Sequence, residues 1–467
     1  MKRALLTTAV LATALGVASP ATAGPFGVLT PATLASTDNP FPPGCGGTGE
    51  ASGNAYNYDG AEVEPYVSVN PTNPLNVVVA WQQDRWSDGG AHGLNHRYST
   101  DGGLTFTTSN PPFSTCAGGT AVNLGDFERA SDPWVSFGPT GILYAISISF
   151  DDSTARNAVL INRSLDGGET WKPVNDRPQF DNPRAIGNNF SDKESLTADP
   201  GDAAYAYAIW DRLVSPSERS SGKAYEHGLG YRGPTYFSRT TDGGDNWSAG
   251  RKIYDPGEVN QTIGNQIVVS PDGTLVDGFD LIYNFKNAGK RRGYNVAIIR
   301  SRDKGETWER RPTIVAPLRA DGVTDPEPVT GCRPGSPGLV CSDVRTGDII
   351  PEIAVDRSVG TATSGNLYMV WQDHQSSPFG DDTILLSRST DGGTSWSQAP
   401  IKVNATPSGV YNAQAFTAQV QVDNTGRVTV TYYDMRADQR GGGLDTQFWA
   451  VHSDDGGETF GDEQELS

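Results

Sequence analysis

Acidic residues, several followed at once by an arginine, close a series of short apolar runs. They are Asp84-Arg85-Trp86, Asp151-Asp152, Asp211-Arg212, Asp373-His374 and Asp434-Met435-Arg436, with Asn284 in the same kind of place. A second set opens other runs: Glu64-Pro65, Asp132-Pro133, Asp192-Lys193-Glu194, Asn265-Gln266, Glu352 and Gln414. Taken singly, such carboxylates cap turns and pair with neighbouring arginines, which is the default role. Gathered together, they offer oxygen ligands to a hard cation such as calcium. Two of them can also form an acid/base pair, one with its pKa raised by burial among like charges. Zinc chemistry is disfavoured: the 5 histidines are scattered, and no Cys-x-x-Cys pair exists.

The elements that must position these groups are short and β-like. Alternating apolar runs recur as 77–81, 143–147, 206–210, 367–371 and 428–432. Each has a shorter run upstream, such as Tyr66–Val69, Trp134–Phe137 or Ala418–Val422, and another downstream, such as Ala158–Asn162 or Val296–Arg300. Glycine (55) and proline (31) punctuate these runs, and no long helical period appears. That is the pattern of an all-β chain of many short strands.

An internal repeat organises the strands. Ser99-Thr100-Asp101-Gly102-Gly103-Leu104-Thr105-Phe106 returns as Ser164–Trp171, Thr240–Trp247, Ser301–Trp308, Ser389–Trp396 and Ser453–Phe460. In each copy the Asp accepts backbone N–H groups of its own turn. The glycine two residues later supplies a positive φ, and the ring packs under the hairpin. Asp101, Asp166, Asp242, Asp303, Asp391 and Asp455 are therefore structural, although they are the most visible carboxylates in the chain.

The repeat resembles the Asp box, or bacterial neuraminidase repeat, of the sialidase-like superfamily. Six copies with about four strands each describe a six-bladed β-propeller of four-stranded antiparallel blades. Its Asp boxes and first-to-second turns share one face. The second-to-third turns and blade connections share the other, where both carboxylate sets converge. Only 461–467 follow the last box, so Gly24–Asn39 is expected to complete the last blade and lock the ring.

The resemblance implies an exo-α-sialidase-like glycoside hydrolase acting on extracellular glycans. Such enzymes clamp a substrate carboxylate with three arginines, use a Tyr–Glu nucleophile and an Asp acid/base, and open with Arg-Ile-Pro. Here that place reads Val63-Glu64-Pro65, and an anionic residue there repels a sialic acid. By blade position the candidate catalytic set is Asp84, Asp132, Glu194, Glu352 and Tyr433, with Tyr432 as the alternative to Tyr433. The candidate substrate-binding set is Glu64, Arg85, Asp211, Arg212, Trp371, Asp373, Asp434 and Arg436, with Trp81 as a further stacking surface. Long loops at 211–236, with Glu226 and His227, and at 309–350, with Arg345, overhang the same face. The alternatives are a non-catalytic propeller that binds glycan or protein, and a calcium-binding structural one. No cofactor is required beyond that possible calcium, and the metal ligands are unassigned.

Lys2 and Arg3, an apolar run to Ala18, and Ala21-Thr22-Ala23 read as a secretory signal peptide cut before Gly24. The run is too short to span a bilayer. The domain reading is residues 1–23 signal, 24–60 N-terminal segment and 61–467 propeller, secreted as a monomer. The formal charge of −19 disfavours nucleic acid and anionic membranes. Four cysteines in an exported chain suggest disulfides, Cys332 with Cys341 and Cys45 with Cys116.

Overall fold

The computed structural model describes residues 32–42, 44–45, 55–154, 156–173, 177–181, 189–214, 232–258, 260–283, 293–320, 322–324, 343–344, 346–377, 380–407, 409–439 and 444–467. Among these the protein is all-β, with one short 3-10 turn at Thr115–Ala117. The signal-peptide residues, Asn284, Glu226, His227, Arg345, Cys332 and Cys341 lie outside the described residues. Cys45 and Cys116 are joined as a disulfide. No described helix is long and apolar enough to cross a membrane.

The strands form antiparallel units in chain order. The first unit contains Asn57–Val69, Val77–Trp86, Ala91–Ser99 and Thr107–Thr108. The second contains Arg129–Phe137, Leu143–Phe150 and Asn157–Ser164, with Lys172–Pro173 and Gln179–Asp181 both on its third strand. One residue pair, Ala91 with Ala130, joins these two units into a nine-stranded sheet. Four separate four-stranded sheets follow, spanning Phe190–Tyr254, Gln261–Pro317, Glu352–Lys402 and Ala415–Glu465. A two-stranded hairpin, Val323–Thr324 with Asp343–Val344, lies between the fourth and fifth units. The outer strand of the sixth unit is Gln464–Glu465, from the C-terminal end.

Alternation explains the stacking of these units. Val78 and Ala80 of the first unit share an apolar cluster with Val135 and Phe137 of the second. Equivalent clusters join the second to the third, the third to the fourth, the fourth to the fifth and the fifth to the sixth. The repeated turns lock the outer side. Asp166 accepts from Thr170 N at 2.9 Å and Thr170 Oγ1 at 2.5 Å, while Gly168 N donates to Ser164 Oγ at 2.8 Å. The same pattern holds around Asp101, Asp242, Asp303, Asp391 and Asp455. These carboxylates are thus consumed by their own turns.

Candidate functional site

The first strands of the units carry a feature that alternation hides. A β-bulge interrupts five of them, at 63–66, 131–134, 192–195, 263–266 and 416–419. Each bulge holds one residue in the left-handed region: Glu64 (φ 55°), Asp132 (56°), Lys193 (47°), Gly264 (69°) and Thr417 (49°). Glycine takes this conformation without strain, and the other four do not. An extra residue in one strand re-aims its side chain, which is why bulges cluster beside functional sites.

The re-aimed side chains meet. Lys193 Nζ lies 3.2 Å from Asp132 Oδ2 and 3.5 Å from Glu64 Oε1, so one ammonium bridges the first three units. The Lys193 backbone N–H also donates to Asp132 Oδ2 at 3.2 Å, and Ser131 Oγ donates to Oδ1 at 2.6 Å. Gln82 donates to Glu64 Oε2 at 2.5 Å. Between the fourth and fifth units, Gln266 Nε2 donates to Glu352 Oε1 at 2.9 Å. The Glu352 charge reaches Tyr66 of the first unit, which stacks on Trp134 at 3.8 Å. Glu64, Asp132, Asp192 and Glu194 therefore interact with one lysine, while Glu352 is held by Gln266.

Their surroundings divide them into two ionisation classes. Burial opposes charge on Asp132, but Lys193, the Ser131 hydroxyl and further hydrogen bonds outweigh it and hold the pKa at about 2. Burial and then the Asp132 charge push Asp192 up to about 6. Glu352 rises to about 7 through burial, which the Gln266 bond only partly opposes. Glu194 is 3% exposed, and its oxygens find no hydrogen-bond partner beyond its own backbone. Burial and the Asp132 charge raise it well above the usual range. Glu64 is also raised: desolvation pushes up, Lys193 pulls down and Asp132 pushes up again. One carboxyl held low thus sits beside carboxyls raised above their ordinary range, the kind of split that acid/base chemistry uses.

The carboxylates that close the second strands are placed differently. Asp84 accepts from Gly60 N at 2.7 Å, Asn39 Nδ2 at 2.8 Å and His92 at 3.1 Å. Asp211 accepts from Gly264 N at 2.9 Å, as well as from Asn265, and so holds the bulge of the next unit. Asp373 accepts from Arg319 N at 2.9 Å and Trp371 Nε1 at 3.1 Å. Asp434 accepts from Thr406 Oγ1 and Arg436, each at 2.6 Å. They fasten loops. Arg212 is spent on Asp181, at 2.6 and 2.7 Å, and Arg436 on Asp434 and Glu463. Arg85 donates to Gly90 O at 2.9 Å, and its charge reaches Glu64. Trp371 and Trp81 are buried. Tyr433 packs between Phe416 and Phe448 on the sixth unit, while Glu194 sits in the third. Tyr432 bonds Glu463.

No family model matches the chain, and no curated protein matches it. Among solved structures, the chain is similar to an α-L-arabinofuranosidase from Fusarium graminearum at 10% identity and TM-score 0.48, over 85% of this chain and 94% of that one. It is similar to an α-L-arabinanase from Penicillium chrysogenum at 13% identity and TM-score 0.48, over 79% and 88%. A Hadza microbial sialidase matches at 14% identity and TM-score 0.45, over 84% and 70%.

Lys193 is the residue that sequence reasoning left out of the site. It stands within the run Asp192-Lys193-Glu194 and was assigned no role, whereas the bulge gives it the register of Glu64 and Asp132. The available signal was position: each bulge residue falls three before an apolar residue of the first strand. Among the described residues no group of three or more metal-ligating side chains is disposed to hold an ion.

Proposed function

We propose that the chain is a secreted six-bladed propeller that hydrolyses glycosidic bonds at the face where its bulged strands converge. The observation that carries this reading is the pair of buried carboxyls with opposite shifts at the starts of first strands: Asp132, 3.2 Å from Lys193, is held at about 2, and Glu352, bonded to Gln266, is raised to about 7. Hydrolysis of a glycoside needs such a pair: a carboxylic acid protonates the leaving oxygen, and a carboxylate serves as base or nucleophile. Glu352, in the fifth unit, is the acid. Asp132, in the second, is the carboxylate that Lys193 keeps charged. Glu194 is enclosed, and burial raises its pKa well above the usual range, so it is not the charged member of the pair. Asp192 shares the Asp132 field and shifts with it.

The same arrangement favours neutral sugars over sialosides. Arg212 and Arg436 are already paired with carboxylates, and Glu64 lies 3.5 Å from Lys193. An anionic sugar would meet ionised Asp132, and Lys193 beside it is already engaged by that carboxylate.

The experiment is hydrolysis of a panel of fluorogenic neutral glycosides and one sialoside by the purified protein, with Glu352→Gln and Asp132→Asn as controls. Either substitution is expected to lower turnover about 100-fold or more while the protein stays folded. Equal turnover in Glu352→Gln and the parent would remove Glu352 as the acid. Sialoside turnover that exceeds turnover of every neutral glycoside would overturn the substrate class. No turnover on any substrate, with melting raised by calcium and lowered by chelator, would replace catalysis with a structural cation.

A further inference from the structure

The first strands share one register that their bulges conceal. Tyr66, Trp134, Ser195, Gln266, Glu352 and Gln419 hold the same place, each paired with the fourth residue of its second strand. Neighbouring units meet along this level. Tyr66 stacks on Trp134, Ser195 Oγ donates to Asn265 O at 2.8 Å, and Gln266 Nε2 donates to Glu352 Oε1 at 2.9 Å. The last of these contacts ends on a carboxyl.

Gln266 is held firmly in its place. It is 7% exposed. Asp211 accepts from Gly264 N at 2.9 Å and from Asn265 Nδ2, and Ser195 takes the carbonyl of the peptide that joins Asn265 to Gln266. Two glycines then let the fifth unit come close. A Cβ on Gly264 would meet Ile350 Cγ2 at 2.9 Å. A Cβ on Gly278, the strand partner of Gln266, would meet Met369 Cε at 3.0 Å and Ile353 Cβ at 3.2 Å. Ile353 is the neighbour of Glu352, so the absent side chains bring the Glu352 strand within reach of the amide.

Other charges stand apart from Glu352. Gln261–Val269 and Ala415–Val422, the first strands on either side, carry no titratable group. Asp277 and Asp280 of Leu275–Ile282 feel Asp211 and Asp348 instead. Asp373, on the strand paired with that of Glu352, is fastened by Arg319 N and Trp371. Tyr66 feels the Glu352 charge, and burial keeps its phenol protonated. Gln266 is the donor that the Glu352 carboxyl finds among the described residues.

We infer that Gln266 is the positioning residue of Glu352: it fixes Oε1, so that Oε2 carries the proton and delivers it. This rests on the reading of Glu352 as the acid. The oxygen that accepts an N–H is the carbonyl oxygen of a neutral carboxyl, which leaves the proton on the other one. In the cleavage step the Oε2 proton passes to the leaving oxygen as the glycosidic C–O bond breaks and its electron pair goes to that oxygen. Glu352 is left as a carboxylate. The Gln266 N–H bond to it becomes charge-assisted and therefore stronger. A bond that strengthens as the reaction proceeds raises turnover more than it tightens binding.

The test measures kcat, KM and their pH dependence for Gln266→Met on the neutral glycoside that the parent hydrolyses fastest. It also follows Glu352 directly by NMR of carboxyl-labelled glutamate, the signal being assigned by its absence in Glu352→Gln. Methionine keeps the length and loses the donor. The kcat should fall about 10-fold while KM stays within about twofold. The Glu352 titration and the basic limb of activity should move up together, by about half a unit or more. Gln266→Glu keeps the shape and serves if the methionine variant does not fold. Two carboxyls then share a proton, and titration and limb should both rise by about one unit or more. A Glu352 titration and a kcat at parental values in a folded variant would overturn the role of Gln266 alone. A titration that moves without the limb, or a parent with no turnover, would remove Glu352 as the acid, and the inference would fall with that assignment.

Discussion

Lys193 stands where two carboxylates would otherwise repel each other. Its ammonium lies within 3.5 Å of both Glu64 and Asp132, and its backbone N–H holds Asp132 as well. Replacing the charge while keeping the length, as in Lys193→Gln, leaves Asp132 with its hydrogen bonds but without its counter-charge. The Asp132 pKa should then rise by about one unit or more. An activity profile governed by ionised Asp132 should show its acidic limb moving up by that amount, while the basic limb set by Glu352 stays near pH 7. A purely structural Lys193 would change stability and leave the acidic limb where it was. Lys193→Gly separates the two roles. It relieves the strain of a left-handed lysine at φ 47° yet removes the charge, so it should show the shifted limb without a loss of folding.

The bulge and the box divide work between the two ends of a unit. In the first three units the bulge turns a charged side chain of the first strand toward the site, and the box ties up the turn after the third strand. Asp166 illustrates the second job: its carboxylate accepts the Thr170 N–H, the Thr170 hydroxyl and the Ser164 hydroxyl, at 2.9, 2.5 and 2.7 Å. Asp166→Ala should cost about 1–2 kcal/mol of stability, read from urea unfolding. Turnover should be unchanged. A large loss of turnover with unchanged stability would mean that the box carboxylates do chemistry after all.

The molecule as a whole carries its carboxyls in two populations, and their opposite shifts shape its response to pH. Asp192 and Glu352 are raised to about 6 and 7, and burial holds Asp211, Asp277 and Asp280 well above their ordinary range. Between about pH 4 and pH 7 the folded chain binds more protons than the unfolded one, so stability falls as pH rises. Asp132 and the box aspartates Asp101 and Asp303 are held at about 2. Their contribution is present above about pH 4 and is lost as pH falls toward 2. Melting temperature should therefore peak near pH 4–5 and decline on both sides. A melting temperature that climbs steadily from pH 5 to pH 8 would contradict the buried-acid account. Glu352→Gln should flatten the decline between pH 5 and 7.

The local sequence was enough to determine the strands, the turns between them and the structural role of the six box aspartates. Alternation, glycine placement and hydrogen bonding within eight residues are local physics, readable without a partner. It also brought Glu64, Asp132, Glu194 and Glu352 to notice, because each opens a first strand beside a proline, a turn or other polar residues. Register and pairing were not readable. A bulge shifts one residue without altering composition, so Lys193 drew no role until its strand was paired with Ala206–Leu213. Asp84, Asp211, Asp373 and Asp434 read as turn caps singly and as candidate site residues together, and the partners that fasten each one are residues that only folding brings near. Arg212 and Arg436 were open to a ligand on paper and are occupied in the structure. Which charges remain available depends on the donors that surround each one, and tertiary packing alone supplied those donors.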